Sequence, residues 1–266
     1  MSRYPEYETP EGIARRWAEN RGQGEHASFK PWFRRFDFPS CGERRESFFR
    51  VCDRPIHTFS HLEFRKALLG KTQDGVTDMW EQYPMPLEET LDIAASIPVV
   101  HPRSPRTGEY VVMTNDLLLI FDSVVGRRRV AWDCKYQDDL RFWRTLEKLE
   151  ISRLWHKHHG NAPLIATDEI SDENYLSNLE WLHALERRDA MLGYPSDLAQ
   201  RVDTIMRPMV DRREQLLWQL AARADDALGF KLPVCLYACR YLLSAGIWKT
   251  DLRIWVRATE PLVLLS

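Results

Sequence analysis

Hydrophobic and polar residues alternate in two neighbouring stretches near the middle of the chain, within residues 115–137. Both stretches are rich in β-branched and aromatic residues, and a Val-Gly pair at residues 125–126 separates them, so the pattern predicts an antiparallel hairpin. Successive side chains of a strand point to opposite faces, which places Asp133 and Lys135 on the same face. A turn at residues 125–126 would set Asp116 opposite Lys135 on the neighbouring strand.

The stretches around this hairpin change repeatedly between the helical and the strand period. A polar run at residues 167–173 separates them from a mostly helical remainder. We therefore predict an α/β domain over residues 1–168, with a mixed sheet and flanking helices, and a second domain over residues 169–266. The first domain has predicted helices at 10–20, 60–69, 87–96 and 138–159 and extended segments at 46–59, 76–85 and 162–166.

The second domain shows helical stretches followed by two short strand-like runs. Helices followed by a small hairpin indicate a winged-helix-like domain for contacts with partners or DNA, and a purely helical packing domain is the alternative. Pro208 is expected to kink or divide the central helix. The predicted helices are 173–190, 196–228 and 232–245, and the strand-like runs are 247–256 and 262–265.

The composition is that of an ordinary globular protein, with 44% hydrophobic and 29% charged residues among 266. The five cysteines show neither a disulfide framework nor a zinc-binding spacing, which predicts a reducing, cytoplasmic location. No apolar signal segment or bilayer-spanning run is present, so we expect no membrane association. A net charge of −2 argues against coating DNA by bulk electrostatics, but an enzyme that meets DNA locally is compatible with it.

The predicted hairpin brings two carboxylates and an amine to one place. Asp116 is followed after 16 residues by Asp133 and Lys135 in an Asp-x-Lys pattern, the spacing of a restriction-endonuclease-like active site. Magnesium prefers carboxylate oxygens and leaves positions for water and phosphate, and a lysine beside it can orient the attacking water. The alternative is a hairpin with solvent-exposed charges, and these three residues alone leave both interpretations open.

Glu63 has two competing interpretations. Ser60 and Glu63 form the Ser-x-x-Glu pattern of a helix capping box, in which the carboxylate binds the start of its own helix. A nuclease of this class also needs one more carboxylate from a helix beside the sheet, and Glu63 comes at the right point in the chain. A glutamate held by its own helix is less free to reach a metal ion.

Short motifs spread over nearly the whole chain carry a family resemblance. They are Ile13-Ala14-Arg15-Arg16, Gly22-Gln23-Gly24, Pro31-Trp32, His61-Leu62-Glu63, Glu81-Gln82-Tyr83-Pro84, Met113-Thr114-Asn115-Asp116, Asp133-Cys134-Lys135, Arg144-Thr145-Leu146-Glu147-Lys148-Leu149-Glu150 and Asn178-Leu179-Glu180-Trp181-Leu182. In this order they resemble the TnsA family, the endonuclease subunits of heteromeric cut-and-paste transposases. The family commonly has glutamine where this chain has Asp133, a departure toward the general nuclease pattern.

The resemblance implies a restriction-endonuclease-like catalytic domain with Glu63, Asp116, Asp133 and Lys135 as its active site. We expect Mg²⁺, with Mn²⁺ as a substitute, to be held by the three carboxylates and the carbonyl of Cys134. The implied partners are transposon-end DNA, a TnsB-type transposase and a TnsC-type AAA+ ATPase.

The implied activity is Mg²⁺-dependent cleavage of the 5′ strands at the transposon ends, leaving a 5′-phosphate and a 3′-hydroxyl, while the transposase cuts and joins the 3′ ends. Two alternatives stay open. One is a free-standing restriction or repair nuclease, which needs no partner. The other is a non-catalytic adaptor that joins the transposase to the ATPase.

Overall fold

The structure is a computed structural model that describes residues 9–37, 43–169, 172–187, 189–210, 215–231 and 233–265. The chain divides into two compact units, Met1–Glu169 and Ile170–Ser266, one residue after the predicted domain boundary. Among the cysteines, Cys41 lies outside the described residues. No helix in the described ranges is long and apolar enough to cross a bilayer.

The strands of the described residues all lie in the first unit. They are β1 (Arg45–Phe49), β2 (Arg54–Thr58), β3 (Val76–Pro84), β4 (Thr114–Ser123), β5 (Gly126–Cys134) and β6 (Ala162–Ala166). β1 and β2 form an antiparallel pair, and the other strands form one sheet in the order β3-β4-β5-β6. Because β6 runs parallel to β5 while the remaining neighbours are antiparallel, the sheet is mixed, as the sequence predicts.

The helices of the first unit are α1 (Pro10–Ala18), α2 (His61–Gly70), α3 (Leu87–Ser96) and α4 (Trp143–His158). Of these, α2 and α4 lie against the sheet. Leu62 of α2 packs against Cys134, whereas Ser152 of α4 bonds to Asp133. Adjacent residues of a strand point to opposite faces, so α2 and α4 lie on opposite sides of β5. The mixed α/β architecture is therefore confirmed.

The start of α4 differs from the prediction of a helix over residues 138–159. A short 3₁₀ turn, Gln137–Arg141, comes first, and Phe142 is extended, with φ −86° and ψ 116°. The amide of Gln137 donates to the carboxylate of Asp168, 2.7 Å away, which fixes the chain beyond β5 in a direction that a continuous helix would not follow. A contact so far apart in sequence is not visible in the local pattern.

The described part of the second unit is helical. Its helices are α5 (Glu173–His183), α6 (Leu198–Val210), α7 (Leu217–Leu228) and α8 (Val234–Ser244). Pro208 lies inside α6, near its end, and the stretch predicted as a helix at 196–228 holds two described helices, α6 and α7, with Gln215 and Leu216 outside both. The central core includes Leu217, Cys235 and Trp248.

The two strand-like runs predicted after residue 246 form no strand in the described residues up to 265, so that prediction is wrong. The runs nevertheless lie side by side, because the amide of Leu265 donates to the carbonyl of Lys249 and the Thr250 hydroxyl donates to the carbonyl of Val263, each over 2.7 Å. Between the two runs, the carbonyls of Ala258 and Glu260 accept hydrogen bonds from the amides of Trp218 and Leu217 at the start of α7. The winged-helix-like assignment stays a prediction.

Candidate active site

The register of the β4–β5 hairpin decides how its charged residues meet. The ladder runs from the pair Ser123–Gly126 at the turn to the pair Leu117–Trp132, next to Asp116 and Asp133. The register of the paired part of the hairpin is therefore shifted by two residues from the predicted one, because Gly126 begins β5 instead of lying in the turn. A shift of two residues leaves every side chain on its original face, so the charged groups still converge at the same end of the sheet.

The ammonium group of Lys135 links Asp116 to the backbone of β5. Its Nζ donates to Oδ2 of Asp116 over 3.1 Å and to the carbonyl of Cys134 over 2.7 Å. The same Oδ2 accepts the amide of Cys134 over 2.7 Å. Within the described residues, the other oxygen of Asp116, Oδ1, accepts no hydrogen bond. The carboxylate is thus fixed on one side and open on the other.

The protonation state of Lys135 follows from these contacts. Burial lowers its pKa, but the charge of Asp116 and the hydrogen bond between them raise it more, so the pKa of Lys135 lies above its ordinary value. Lys135 is therefore positively charged at neutral pH. In this arrangement it can orient a water molecule and neutralise negative charge, but it does not act as the base that removes a proton.

Glu63 forms the capping box that its position predicts. Its amide donates to Oγ of Ser60 over 3.1 Å, and the Ser60 hydroxyl donates back to Oε1 over 3.0 Å. Oε2 accepts the amide of Phe59 over 2.9 Å. The carboxylate is therefore held at the first turn of α2, which is the helix that packs on the end of β5.

The carboxylate of Glu63 also interacts electrostatically with Asp116 of the hairpin. Burial and then the negative charge of Asp116 raise the pKa of Glu63 to about 7, although Lys135 and the hydrogen bonds act in the opposite direction. Two carboxylates that repel each other at a half-buried place are stabilised by a cation between them. The Glu63 carboxylate therefore caps α2 and also lies close enough to Asp116 for the two charges to repel each other.

Asp133 is more deeply buried than the other acidic residues of the site, with 8% exposure. Its Oδ1 accepts the amide nitrogen of Asn115 over 2.9 Å, and its Oδ2 accepts the hydroxyl of Ser152 over 2.7 Å. Burial, followed by the charge of Asp116, raises the pKa of Asp133 to about 6. Both oxygens of Asp133 thus accept hydrogen bonds from neutral donors, Asn115 and Ser152.

The arrangement of the acidic side chains decides what kind of magnesium site they could form. The described residues contain no group of three or more His, Cys, Asp or Glu side chains that could hold a metal ion. Glu63, Asp116 and Asp133 therefore do not form a closed cage. Mg²⁺ commonly takes only one or two carboxylates and completes its shell with water and substrate phosphate. The open Oδ1 of Asp116 and the raised pKa of Glu63 fit a site of that smaller kind.

Sequence reasoning did not assign a site role to Gln82, which lies in β3 beside Glu63. Its Nε2 is 3.5 Å from Oε2 of Glu63, and its Oε1 accepts the hydroxyl of Thr114 over 3.1 Å. Its φ is 48°, a left-handed conformation that a non-glycine residue inside a strand rarely adopts and that is often found at functional sites. No local pattern signals such a backbone, and the same holds for the contact of Ser152 with Asp133.

A mixed sheet with helices on both faces, which carries an Asp strand beside an Asp-x-Lys strand, is consistent with a nuclease fold. No protein-family model matches the chain. The chain is 26% identical over 249 residues to the transposon Tn7 transposition protein TnsA of Escherichia coli, and the alignment covers 93% of this chain and 88% of that protein. The chain is thus similar to TnsA along nearly its whole length, which confirms the resemblance given by the sequence motifs.

Proposed function

We propose that the chain is the Mg²⁺-dependent DNA endonuclease subunit of a cut-and-paste transposase. It would cleave the 5′ strands at the transposon ends together with a TnsB-type transposase, with a TnsC-type AAA+ ATPase and the end DNA as further partners. The observation that carries the proposal is the contact of Lys135 with Asp116, close to Glu63, whose pKa is raised by burial and by the charge of Asp116. The similarity to a transposition protein along nearly the whole chain supports it.

The carboxylates of Glu63 and Asp116 would hold the metal ion, with the carbonyl of Cys134 as a further ligand. Bound Mg²⁺ supplies positive charge to the scissile phosphate and lowers the pKa of water. Asp133 would contribute its charge from behind Asp116, because its own oxygens bind Asn115 and Ser152. Mn²⁺, which also accepts oxygen ligands, is the expected substitute.

Lys135 would act directly on the substrate. Its charged ammonium group, held by Asp116, can donate to the attacking water and to a phosphate oxygen on which negative charge develops. Attack by water on phosphorus breaks the bond to the 3′ oxygen, so the products carry a 5′-phosphate and a 3′-hydroxyl. Asp116 therefore has two tasks, since it binds the metal ion on one side and orients Lys135 on the other.

The test is reconstitution of the full chain with its TnsB-type transposase on end DNA labelled separately on each strand, with Mg²⁺ or with EDTA. A 5′-strand nick that needs both the chain and Mg²⁺ is expected. An Asp116→Asn chain should lose this nick and leave 3′-end cutting by the transposase intact. Cleavage without the transposase would indicate a free-standing nuclease, and a chain that neither cleaves nor binds metal would indicate an adaptor.

A further inference from the structure

Gln82 has a backbone conformation that a regular strand does not contain. Its φ of 48° lies in the left-handed region, although β3 continues on both sides of it. Within the ladder of β3 and β4, Gln82 lies between two paired residues, and Asp116 lies between their partners on β4. A non-glycine residue in this region costs free energy, which the surrounding structure must offset. The strained residue is therefore located where β3 passes Asp116.

The left-handed conformation changes the direction of the Gln82 side chain. The side chains of a regular strand alternate between the two faces of the sheet. Met79 lies next to Gly70 of α2, so a regular strand would point Trp80 and Gln82 away from this helix. Instead, Gln82 approaches α2, and Tyr83 stacks on Trp80 with ring centroids 5.6 Å apart. The break in alternation thus turns the amide of Gln82 toward α2.

Neighbouring groups hold Gln82 in this position. Its carbonyl accepts the amide of Trp32 over 3.1 Å, and the residue is only 5% exposed. Its side-chain Oε1 accepts the hydroxyl of Thr114 over 3.1 Å. This bond directs the other end of the amide, Nε2, toward Oε2 of Glu63, 3.5 Å away. The backbone and the side chain of Gln82 are therefore both fixed.

We propose that Gln82 is a positioning residue of the cleavage site, whose amide holds the carboxylate of Glu63 in place beside Asp116 so that both can bind one metal ion. The inference rests on the proposed nuclease function and adds a residue that acts through Glu63. Thr114, which orients the amide, precedes Asp116 on β4 by two residues. The chain of contacts from Thr114 to Glu63 thus connects the supports of the two proposed ligands.

A purely structural kink in β3 is the alternative role. Glycine adopts a left-handed φ without strain, so a kink alone would favour glycine at this position. A long side chain with an amide at its end is explained by the contact that the amide makes. Hydrogen bonds that orient metal ligands are commonly worth about 10–100-fold in metal affinity. The amide of Gln82 is placed to make such a contribution.

The direct experiment is titration calorimetry of the full chain with Mg²⁺. Gln82→Met removes the amide and keeps the length of the side chain, whereas Gln82→Gly removes the amide and releases the backbone strain. We expect both variants to raise the Kd for Mg²⁺ by about tenfold or more. A structural kink predicts instead that the glycine variant keeps the affinity of the wild type.

Two matched changes elsewhere in the first unit serve as controls. Gln73→Met makes the same chemical change at an exposed glutamine. Asp53→Gly releases another left-handed residue, with φ 54°, in the turn between β1 and β2. Both proteins should bind Mg²⁺ as the wild type does.

Cleavage of labelled end DNA in the complex with the transposase provides the second measurement. Gln82→Met should need about tenfold more Mg²⁺ for half-maximal 5′-strand cleavage and should regain most of the wild-type rate at saturating Mg²⁺. Thr114→Val, which removes the hydroxyl that orients the amide, should cause a smaller shift in the same direction. Because Thr114 acts through Gln82, the double variant should be no worse than Gln82→Met alone.

Wild-type Mg²⁺ affinity in Gln82→Met, or in Gln82→Gly, would overturn the positioning role. If neither variant folds, Thr114→Val decides, and wild-type affinity in that protein would overturn the role equally. A wild-type complex that binds Mg²⁺ but never cleaves, with the affinity weakened in Gln82→Met, would instead refute the nuclease function and leave the positioning role standing.

Discussion

Ser152 on α4 donates a hydrogen bond of 2.7 Å to Oδ2 of Asp133 on β5, while Asn115 on β4 donates to Oδ1. A buried carboxylate is thus held by two neutral donors, and no cation forms an ion pair with it in the described part of the chain. Asp116 on β4 has the opposite situation, because Lys135 binds its Oδ2 while its Oδ1 has no hydrogen-bond partner among the described residues. The two aspartates therefore lie in different environments, one bound by neutral donors and the other by a cation.

The first prediction concerns the stability of the Asp133→Asn protein. The pKa of Asp133 rises from its ordinary value of 3.8 to about 6 on folding, so the folded state holds the proton more tightly than the unfolded state. The associated stabilisation is present below about pH 4 and is lost as the pH rises through about 6. Asn keeps hydrogen bonds to Asn115 and Ser152 without the charge.

In EDTA near pH 8, Asp133→Asn should therefore be more stable than the wild type by roughly 1–3 kcal/mol in urea unfolding, and the difference should vanish near pH 4. Ser152→Ala is the control. It removes a donor to the charged form, so it should destabilise the protein more near pH 8 than near pH 4. Equal stability of wild type and Asp133→Asn at both pH values would contradict the buried charge.

The second prediction separates the two aspartates by activity. Asp116→Asn should reduce 5′-strand cleavage by at least about a hundredfold, as expected when one preorganised electrostatic group is lost. Asp133→Asn should reduce it by no more than about tenfold, because the deeper carboxylate acts only through its charge. Single-turnover rates on labelled end DNA measure both.

Asp122→Asn is the matched control. Asp122 lies on β4, the strand that carries Asp116, but it binds the exposed Arg127 at the far end of the hairpin. Its cleavage rate should equal that of the wild type. If Asp133→Asn were as inactive as Asp116→Asn, the assignment of Asp133 to a supporting position would be wrong.

The sequence predicts the convergence of the site because strand alternation is robust. The hairpin register is displaced by two residues, yet Asp116 and Lys135 still meet, since an even shift keeps each side chain on its face. The bounds of α3 and β6 agree with the prediction to the residue. In both elements the periodic pattern is short and is bounded by proline or polar residues, so that local chemistry alone fixes the ends.

What the sequence could not supply is packing between distant segments. Ser152 reaches Asp133 only because α4 crosses the sheet at a particular angle, and Gln82 approaches Glu63 only through a strained backbone. The strand-like runs after residue 246 have strand composition but pair with too few neighbours to form a ladder. β-propensity is realised only when a strand has a neighbouring strand and a surface to pack against. Here the carbonyls of Ala258 and Glu260 bind amides of α7 and not those of another strand.

The third prediction concerns proton release on metal binding. With a pKa of about 7, Glu63 is about half protonated near pH 7, and a carboxylate must lose its proton to bind a cation. Titration calorimetry with Mg²⁺ in buffers of different ionisation enthalpy should show about half a proton released near pH 7.

Glu63→Gln should abolish this release and weaken Mg²⁺ binding, whereas Ser60→Ala should retain both and lose about 1 kcal/mol of stability through the missing cap. The capping serine is a strict comparison because it bonds to the same carboxylate. Heats of Mg²⁺ binding that do not depend on the buffer would contradict a role for Glu63 as a ligand.

The fourth prediction concerns acid stability and a group outside the site. His156 on α4 is 0% exposed, its Nδ1 lies 3.1 Å from the amide nitrogen of Asn161, and its Nε2 has no partner among the described residues. Burial, with a contribution from His159, lowers the pKa of His156 from 6.5 to about 4. The unfolded state therefore binds a proton more tightly than the folded state between these values.

The stability that neutral His156 contributes is fully present above about pH 6.5 and is lost as the pH falls through about 4, by roughly 3 kcal/mol in total. We therefore compare the free energies of unfolding of the wild type and of His156→Asn. As the pH falls from about 6.5 to about 4, the wild type should lose stability relative to the variant by this amount, whichever protein is the more stable near neutral pH. His158→Asn, a change at an exposed position of the same helix end, should leave the wild-type slope intact. Parallel pH profiles for the wild type and His156→Asn would show that folding does not lower the pKa of His156, and the effect of burial assigned to it would then be wrong.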